Sequence, residues 1–190
     1  DRAVREGGWQ HTIGLELTGR TLGVIGLGNL GKRVAAVGRA FDMDVIAWSQ
    51  NLKHEDAATV GVRAVTKEDL LRRSDIVTIH QRLSDRTRGL IGDAELRLMK
   101  ATAYLVNTSR GPIVDETALV VALREGRLAG AGLDVFDVEP LPADHPLRTA
   151  PNTVLTPHVG YVTQRTYEIF YQDTVEDIVA FASGSPIRVL

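Results

Sequence analysis

The segment GLGNLG at residues 26–31 constrains the fold more than any other part of the sequence. It closes an apolar run, TLGVIGLG at 21–28, and this pattern predicts a buried strand that ends in a tight turn. The next segment, LGKRVAAVGRAF at 30–41, places apolar residues at helical spacing: Leu30, Val34, Val37 and Phe41. A strand, a glycine turn and a helix in direct succession are typical of a βαβ unit that binds a dinucleotide.

Strand-like and helix-like segments alternate along almost the whole chain. Short apolar runs predict further strands at 44–49, 75–80, 103–109, 128–136 and 152–157. Capped or amphipathic segments predict helices at 66–74, 115–126 and 163–182. This alternation predicts the α/β class: a doubly wound, mostly parallel sheet of the Rossmann type, with right-handed connections and helices on both faces.

Composition excludes several classes of function. With 190 residues, the chain is long enough for one large domain or two small ones with a sizeable core. A net charge of -2 gives no electrostatic reason to expect nucleic acid or a membrane as a partner. The absence of cysteine removes disulfides, thiolate metal sites and a cysteine nucleophile, and we expect no metal. No apolar stretch approaches the roughly 20 residues that a membrane span needs.

The three glycines of the turn have different predicted tasks. Gly26 allows the tight turn, Gly28 lets the backbone approach a pyrophosphate, and Gly31 lets the helix pack closely on the strand. The helix N-terminus then offers unpaired N–H groups to the phosphates. The alternative is a glycine-rich turn between strand and helix that binds no ligand.

The end of the second predicted strand bears on the choice of cofactor. An acidic residue that binds the ribose 2′-hydroxyl is usual about 20 residues after the glycine turn, and Ser49 stands there instead. A missing carboxylate removes the repulsion that excludes a 2′-phosphate. Ser49, Gln50 and Asn51 can bind a hydroxyl or a phosphate, and we expect Lys53 nearby. NAD(H) and NADP(H) therefore both stay open.

Three other segments at predicted strand ends carry residues suited to catalysis: Arg110, Glu139 and His158. The carboxyl ends of parallel strands share one edge of the sheet, so these residues can converge. Histidine transfers protons near neutral pH, a neighbouring glutamate fixes its tautomer, and arginine binds carboxylates and polarises carbonyls. The set suits reduction of a 2-keto acid. Taken singly, the three are also explained as a surface ion-pair partner, a solvated acid and a loop cap.

At this point the sequence resembles the D-isomer-specific 2-hydroxyacid dehydrogenases, the phosphoglycerate dehydrogenase-like group. The resemblance runs from about residue 17 to residue 182. It rests on the glycine turn and on four further motifs in the same order: HQRLSDRTRGLIG (80–92), LMKATAYLVNTSRGPIVDETAL (98–119), GAGLDVFDVEPLPADHPL (130–147) and LTPHVGY (155–161).

The resemblance implies a role for individual residues. His158 is the implied general acid and base, Glu139 its partner, and Arg110 the ligand of the substrate carbonyl and carboxylate. Asp134 is implied to hold the nicotinamide carboxamide. The resemblance also implies that Asn29 and Leu30 meet the pyrophosphate and that six residues line the cofactor groove: His80, Gln81, Thr87, Thr108, Ser109 and Gly160.

The sequence departs from the family pattern at two places. Ser49 replaces the usual acid, and Arg82 stands where members often have a proline, in HQRL rather than HxPL. We expect the Arg82 side chain to face solvent. The remaining histidines match no catalytic position, and we interpret them as surface residues: His11, His54 and His145.

The resemblance implies that residues 1–190 form a dinucleotide-binding domain, with 1–16 leading in from a missing substrate domain. We therefore expect a fragment that is poorly active alone, from a cytoplasmic homodimer. The expected function is hydride transfer between NAD(H) or NADP(H) and a D-2-hydroxy acid or 2-keto acid. Two alternatives share the three catalytic residues: an NAD(H)-sensing interaction protein similar to a co-repressor, and an enzyme that oxidises phosphite.

Overall fold

The computed structural model describes residues 2–11 and 13–189 and contains one parallel sheet. In these residues the sheet has seven strands in the spatial order β3-β2-β1-β4-β5-β6-β7. Their bounds are β1 Thr21–Ile25, β2 Asp44–Trp48, β3 Arg63–Ala64, β4 Ile76–Ile79, β5 Tyr104–Asn107, β6 Gly130–Leu133 and β7 Thr153–Leu155. The predicted doubly wound α/β fold is confirmed.

Helices connect the strands and cover the sheet. They are α1 Arg2–Arg5, α2 Asn29–Ala40, α3 His54–Ala58, α4 Lys67–Arg73, α5 Asp93–Leu98, α6 Glu116–Arg124 and α7 Gln164–Ala182, with short 3-10 helices at Gly111–Ile113 and Pro146–Thr149. The core lies on both faces of the sheet. On β1, Ile25 packs into one buried cluster, while Leu22 and Val24 pack into the other. This division follows from the alternation of side chains along a strand.

Most predicted elements are present, with shorter bounds. The strand predicted at 128–136 covers only Gly130–Leu133, because the chain leaves the ladder after Leu133 to form the loop that contains Asp134. The helix predicted at 66–74 begins at the expected cap, where the Thr66 hydroxyl accepts a hydrogen bond from the Asp69 N–H. The elements that the sequence pattern missed, such as α3 and the two-residue β3, are too short to show a periodicity.

Helix α7 differs from the other long helices. It begins where predicted, and the Thr166 N–H donates to the Thr163 hydroxyl, which caps it. None of its residues is buried against the described part of the chain, although we expected an apolar face. The large apolar side chains of this helix, including Tyr171 and Phe181, are therefore exposed.

The sheet order places a crevice at the carboxyl ends of β1 and β4. The chain moves outward from β1 to β2 and β3 on one side, and from β4 to β7 on the other. Ligands of doubly wound sheets bind at this point of reversal. Gly26 directly follows β1 with a φ of +98°, and a Cβ there would collide with the His80 carbonyl after β4. The glycine turn thus lies against the end of β4.

We predict that alanine lowers stability at one glycine of the turn and weakens cofactor binding at another. A Cβ on Gly31 would overlap the Gly26 carbonyl oxygen, whereas a Cβ on Gly28 meets nothing within 4 Å. Gly31→Ala should therefore lower the free energy of unfolding by about 1–3 kcal/mol, as overpacking does. Gly28→Ala should leave stability nearly unchanged and weaken dinucleotide binding. Chemical denaturation and cofactor titration of both variants test this, and equal stabilities would contradict it.

Candidate functional site

Loops after β5, β6 and β7 bring the predicted catalytic residues to one edge of the sheet. His158 and Glu139 are in contact, because the His158 Nδ1 lies 2.7 Å from the Glu139 Oε2. The other oxygen, Oε1, accepts a hydrogen bond of 2.9 Å from the Phe136 N–H. Since Nδ1 faces the carboxylate, Nε2 is the nitrogen that remains to exchange a proton with a substrate. We define this His158–Glu139 pair as the dyad.

The charge state of the dyad follows from the surroundings of the Glu139 carboxylate. Burial acts to raise the pKa of Glu139, but the hydrogen bonds from His158 and the Phe136 N–H outweigh it. The positive charge of Arg110 acts in the same direction as those hydrogen bonds. The pKa of Glu139 therefore lies below its ordinary value, and the carboxylate is ionised at neutral pH.

Asp134 holds the loop that carries His158. Its side chain is buried directly after β6. Its Oδ1 accepts hydrogen bonds from the Val159 N–H, at 2.9 Å, and from the Thr156 hydroxyl, and its Oδ2 accepts from the Gly160 N–H at 2.9 Å. Burial acts to raise the pKa of Asp134, but these hydrogen bonds lower it overall. The implied contact of Asp134 with a nicotinamide carboxamide stays a prediction.

Arg110 lies on a loop that is fixed from below. The Asn107 side chain donates from Nδ2 to the Arg110 carbonyl at 2.9 Å, and its Oδ1 accepts from the Ser109 N–H at 3.0 Å. The Ser109 hydroxyl donates to the Gln81 carbonyl, which joins this loop to the end of β4. The Arg110 side chain is exposed, and no carboxylate of the described residues forms a salt bridge with it. The guanidinium Nη1 donates to the Ser109 carbonyl at 2.6 Å, and its remaining N–H groups are available to a ligand.

Two adjoining cavities follow the predicted cofactor groove. The larger, of about 700 Å³, lies beside the glycine turn and the end of β2. The smaller, of about 410 Å³, extends toward Arg110. They share Gln81, Arg82 and Leu83. Of the predicted cofactor residues, the larger cavity is lined by Gly28, Ser49, Gln50, Asn51, Gln81 and Thr87, and the smaller by Leu30, His80, Gln81, Thr108 and Ser109.

Other predicted cofactor residues lie outside the two cavities. Gly26 and Gly31 are buried beneath the turn, and Asn29 is exposed as the first residue of α2. Asp134 and Gly160 lie at the dyad instead. These positions distinguish residues that shape the groove from residues that line it.

Ser49 is tied to the glycine turn. Its Oγ accepts a hydrogen bond of 3.0 Å from the Leu27 N–H, so the end of β2 fixes the turn after β1. The hydroxyl hydrogen remains available to donate to a ligand. Lys53, expected nearby, lines neither cavity, and its Nζ lies 3.8 Å from the Glu55 carboxylate on the exposed surface.

Three cations that we did not predict as ligands line the larger cavity: Lys32, Arg82 and Arg86. Arg82 is exposed, as we expected, but it also borders both cavities. The sequence could have indicated these residues by their positions, because Lys32 lies in the first turn of α2 and the two arginines follow β4. Asp56 is the one acid among the residues that line this cavity. The groove is therefore suited to an anionic ligand.

The histidines outside the dyad have different surroundings. His11 and His54 are exposed, as predicted. The prediction for His145 is wrong, because only 23% of its side chain is exposed and its Nε2 lies 3.2 Å from the Glu116 Oε2. The described residues contain no group of three or more histidine and acidic side chains placed to hold a metal ion. They also contain no helix that is long and apolar enough to span a membrane.

Comparison with known proteins gives one consistent result. Residues 1–160 match the family model described as "D-isomer specific 2-hydroxyacid dehydrogenase, NAD binding domain". The glyoxylate reductase of Aeropyrum pernix is 48% identical over an alignment of 193 positions, which covers 97% of this chain and 58% of that protein.

Solved structures agree with the sequence match. A phosphoglycerate oxidoreductase from Vibrio cholerae superposes with a TM-score of 0.89 at 35% identity, over 96% of this chain and 60% of that one. D-lactate dehydrogenase from Aquifex aeolicus, complexed with NAD and lactic acid, gives a TM-score of 0.84 at 33% identity, over 97% and 60%. The chain thus spans less than two thirds of the length of these relatives.

We predict that the Asp134 carboxylate stabilises the fold in a pH-dependent way. The amide nitrogen that the Asp134→Asn substitution introduces would face N–H donors, so this variant should lower the free energy of unfolding at pH 7 by about 1–3 kcal/mol. The folded-state pKa of Asp134 is depressed. The stabilisation is therefore present above the unfolded aspartate pKa of about 3.9 and is lost as pH falls through the folded pKa.

Denaturation of wild type and Asp134→Asn between pH 7 and pH 3 measures this effect. The difference between the two proteins should shrink toward the acid end. Asp144→Asn, at an exposed acid of the loop after β6, is the matched control and should change little at any pH. A difference for Asp134→Asn that stays constant with pH would contradict the assignment.

Proposed function

The chain belongs to the D-isomer specific 2-hydroxyacid dehydrogenase family and matches the NAD binding domain of that family, and we propose that it is the cofactor-binding part of an oxidoreductase. The reaction is hydride transfer between a nicotinamide cofactor and a D-2-hydroxy acid or 2-keto acid. One observation carries the proposal: the dyad and the exposed Arg110 guanidinium lie at the same sheet edge as the glycine turn and its cationic groove.

The groove fits a dinucleotide. A Cβ on Gly28 would meet open space, and the first turn of α2 is exposed beside it, so backbone N–H groups can face a pyrophosphate. Lys32, Arg82 and Arg86 add positive charge to the lining of the same cavity. When bound, the nicotinamide cofactor supplies or accepts the hydride. NAD(H) is the cofactor by family, and the absence of an acid at Ser49 supports NADP(H) as a second cofactor.

The chain's own residues supply the proton transfer and the charge stabilisation. In the direction of reduction, His158 donates a proton from Nε2 to the substrate oxygen, and in oxidation it takes that proton back. Glu139 holds the imidazole through Nδ1, which fixes the tautomer and stabilises the charged form. Arg110 binds the substrate carboxylate and stabilises the negative charge that develops on the oxygen.

The proposal includes the assembly and location implied by the family resemblance: a homodimer in the cytoplasm. Exposed apolar side chains support a contact surface between subunits, since they occur both in the segment before β1 and along α7. Examples are Trp9, at 76% exposure, and Phe181, at 78%. Extensive exposed apolar surface marks interaction sites.

We predict that His158 dominates the chemical step. In the full-length protein, His158→Asn should lower kcat/KM for NADH-dependent reduction of glyoxylate or hydroxypyruvate by about 10²–10⁴, the usual contribution of a general acid. The Kd for NADH should stay within about twofold, because the ring lines neither cofactor cavity. His54→Asn, at an exposed histidine, is the control and should keep wild-type activity.

The same assay separates the alternatives. A wild-type protein that binds NADH but reduces no 2-keto acid would sink the dehydrogenase proposal. The NAD(H)-sensing interaction protein would then be favoured, or, if phosphite supports NAD reduction, the phosphite-oxidising enzyme.

We predict that residue 49 controls discrimination between the two cofactors. Ser49→Asp should raise the ratio of the Kd for NADPH to the Kd for NADH by at least about tenfold, because a carboxylate repels the 2′-phosphate. Ser49→Ala is the matched control: it removes the oxygen that accepts from Leu27 without adding charge. Titrations followed by nicotinamide fluorescence measure both ratios. An unchanged ratio in Ser49→Asp would show that the end of β2 does not meet the ribose.

A further inference from the structure

Glu116 is a shielded acid that the proposed chemistry does not use. It is the first residue of α6, directly after the Asp115 cap, whose Oδ1 accepts from the Ala118 N–H. Only 11% of the Glu116 side chain is exposed. Acids are rarely shielded to this degree unless they are paired.

The two oxygens of Glu116 bind two different segments. Oε1 accepts a hydrogen bond of 2.8 Å from the Asp137 N–H, and Oε2 lies 3.2 Å from the His145 Nε2. The His145 Nδ1 accepts from the Leu147 N–H at 3.3 Å. A neutral His145 therefore carries its proton on Nε2 and donates it to Glu116. Glu116 thus joins α6 to both the start and the far end of the loop that carries Glu139.

The Phe136–Asp137 peptide, which Glu116 holds, borders both parts of the catalytic set. On one side, the peptide that precedes it, Val135–Phe136, donates the Phe136 N–H to the Glu139 Oε1 and so orients the dyad. On the other, Gly111 packs so closely that a Cβ there would overlap the Phe136 carbonyl and the Asp137 nitrogen. Gly111 directly follows Arg110. A displacement of the Phe136–Asp137 peptide would therefore act on the Arg110 loop through Gly111 and, through Phe136, on the N–H that orients Glu139.

We propose that Glu116 is a positioning residue for this site: through the Asp137 N–H it fixes the Phe136–Asp137 peptide and thereby the geometry between the dyad and Arg110. This inference rests on the proposed function for its kinetic consequence. Its structural part stands on the hydrogen bonds alone. Glu116 itself lines a separate cavity, beside Asp137 and His145, and its positioning role runs through the Asp137 N–H.

The pKa of Glu116 reflects its hydrogen bond to the Asp137 N–H as well as burial and nearby charges. Burial raises the pKa of Glu116, and the Asp137 N–H acts against that rise. The charges of Asp137 and Glu139 raise it further, while His145 lowers it. A glutamine at this position keeps a carbonyl oxygen for the Asp137 N–H without the charge. The Glu116→Gln variant therefore separates the hydrogen bond from the carboxylate.

Kinetics of the full-length protein give the first test. Glu116→Ala should lower kcat by about 10- to 100-fold, as small displacements of catalytic groups do, with the Kd for NADH within about twofold of wild type. Glu116→Gln should recover most of that loss, because its amide oxygen can accept from Asp137. Glu125→Ala, at an exposed acid that follows α6, is the control and should match wild type.

The carboxyl ¹³C shift of Glu139, followed against pH, gives a second readout that needs no turnover. In wild type, hydrogen bonds from His158 and Phe136 depress the pKa of Glu139. In Glu116→Ala that pKa should rise toward its ordinary value, and in Glu116→Gln it should stay depressed. If Glu116→Ala does not fold, Glu116→Asp, one methylene shorter, takes its place, and the same rise is expected.

The outcomes separate the inference from the proposed function. A rise in the pKa of Glu139 in a protein that reduces no 2-keto acid would leave the positioning role standing and reject the dehydrogenase. An unchanged pKa of Glu139 in the folded variant would overturn the positioning role, whatever the activity of wild type. Equal losses of kcat and of NADH binding would also overturn it, because they would indicate a general loss of structure.

Discussion

The parallel hydrogen-bonding of the sheet is the constraint on which the site depends. Every pair of neighbouring strands in the described sheet runs in the same direction. All carboxyl ends therefore share one edge, and each loop after a strand begins there. Arg110, Glu139 and His158 are far apart along the chain, yet they follow three adjacent strands, β5, β6 and β7. The sheet order, rather than any local motif, makes them neighbours.

Hydrogen bonds between side chains and the backbone then fix the positions of these three residues relative to one another. Asp134 holds the loop of His158, Asn107 holds the loop of Arg110, and Glu139 accepts from the Phe136 N–H as well as from His158. Apart from the contact between Glu139 and His158, these contacts satisfy backbone groups that the strands no longer pair. The predicted catalytic side chains are consequently held by loops that are fixed at several points, which favours a preorganised site.

The cofactor side of the crevice is organised by charge and by close backbone packing. Gly31 lets α2 start against the carbonyl of Gly26, which brings the helix N-terminus to the groove. Lys32, Arg82 and Arg86 line the same groove, so the helix end and the cations both favour an anionic ligand there. Ser49 connects this region to β2 through the Leu27 N–H. One serine thus fixes the turn after β1 and stands at the end of β2, the position predicted to meet the ribose.

The sequence by itself determined the fold class, the glycine turn and the segments that carry Arg110, Glu139 and His158, because apolar periodicity and local motifs are written in consecutive residues. Only the tertiary structure decided which oxygen of Asp134 meets which N–H, that Ser49 binds Leu27, and that Lys53 faces the surface. It also placed His145, which the sequence suggested was a surface residue, beside Glu116. The contacts of Asp134, Ser49 and His145 join residues that are far apart along the chain and leave no periodic trace, so they follow only from the way the loops pack at the edge of the sheet.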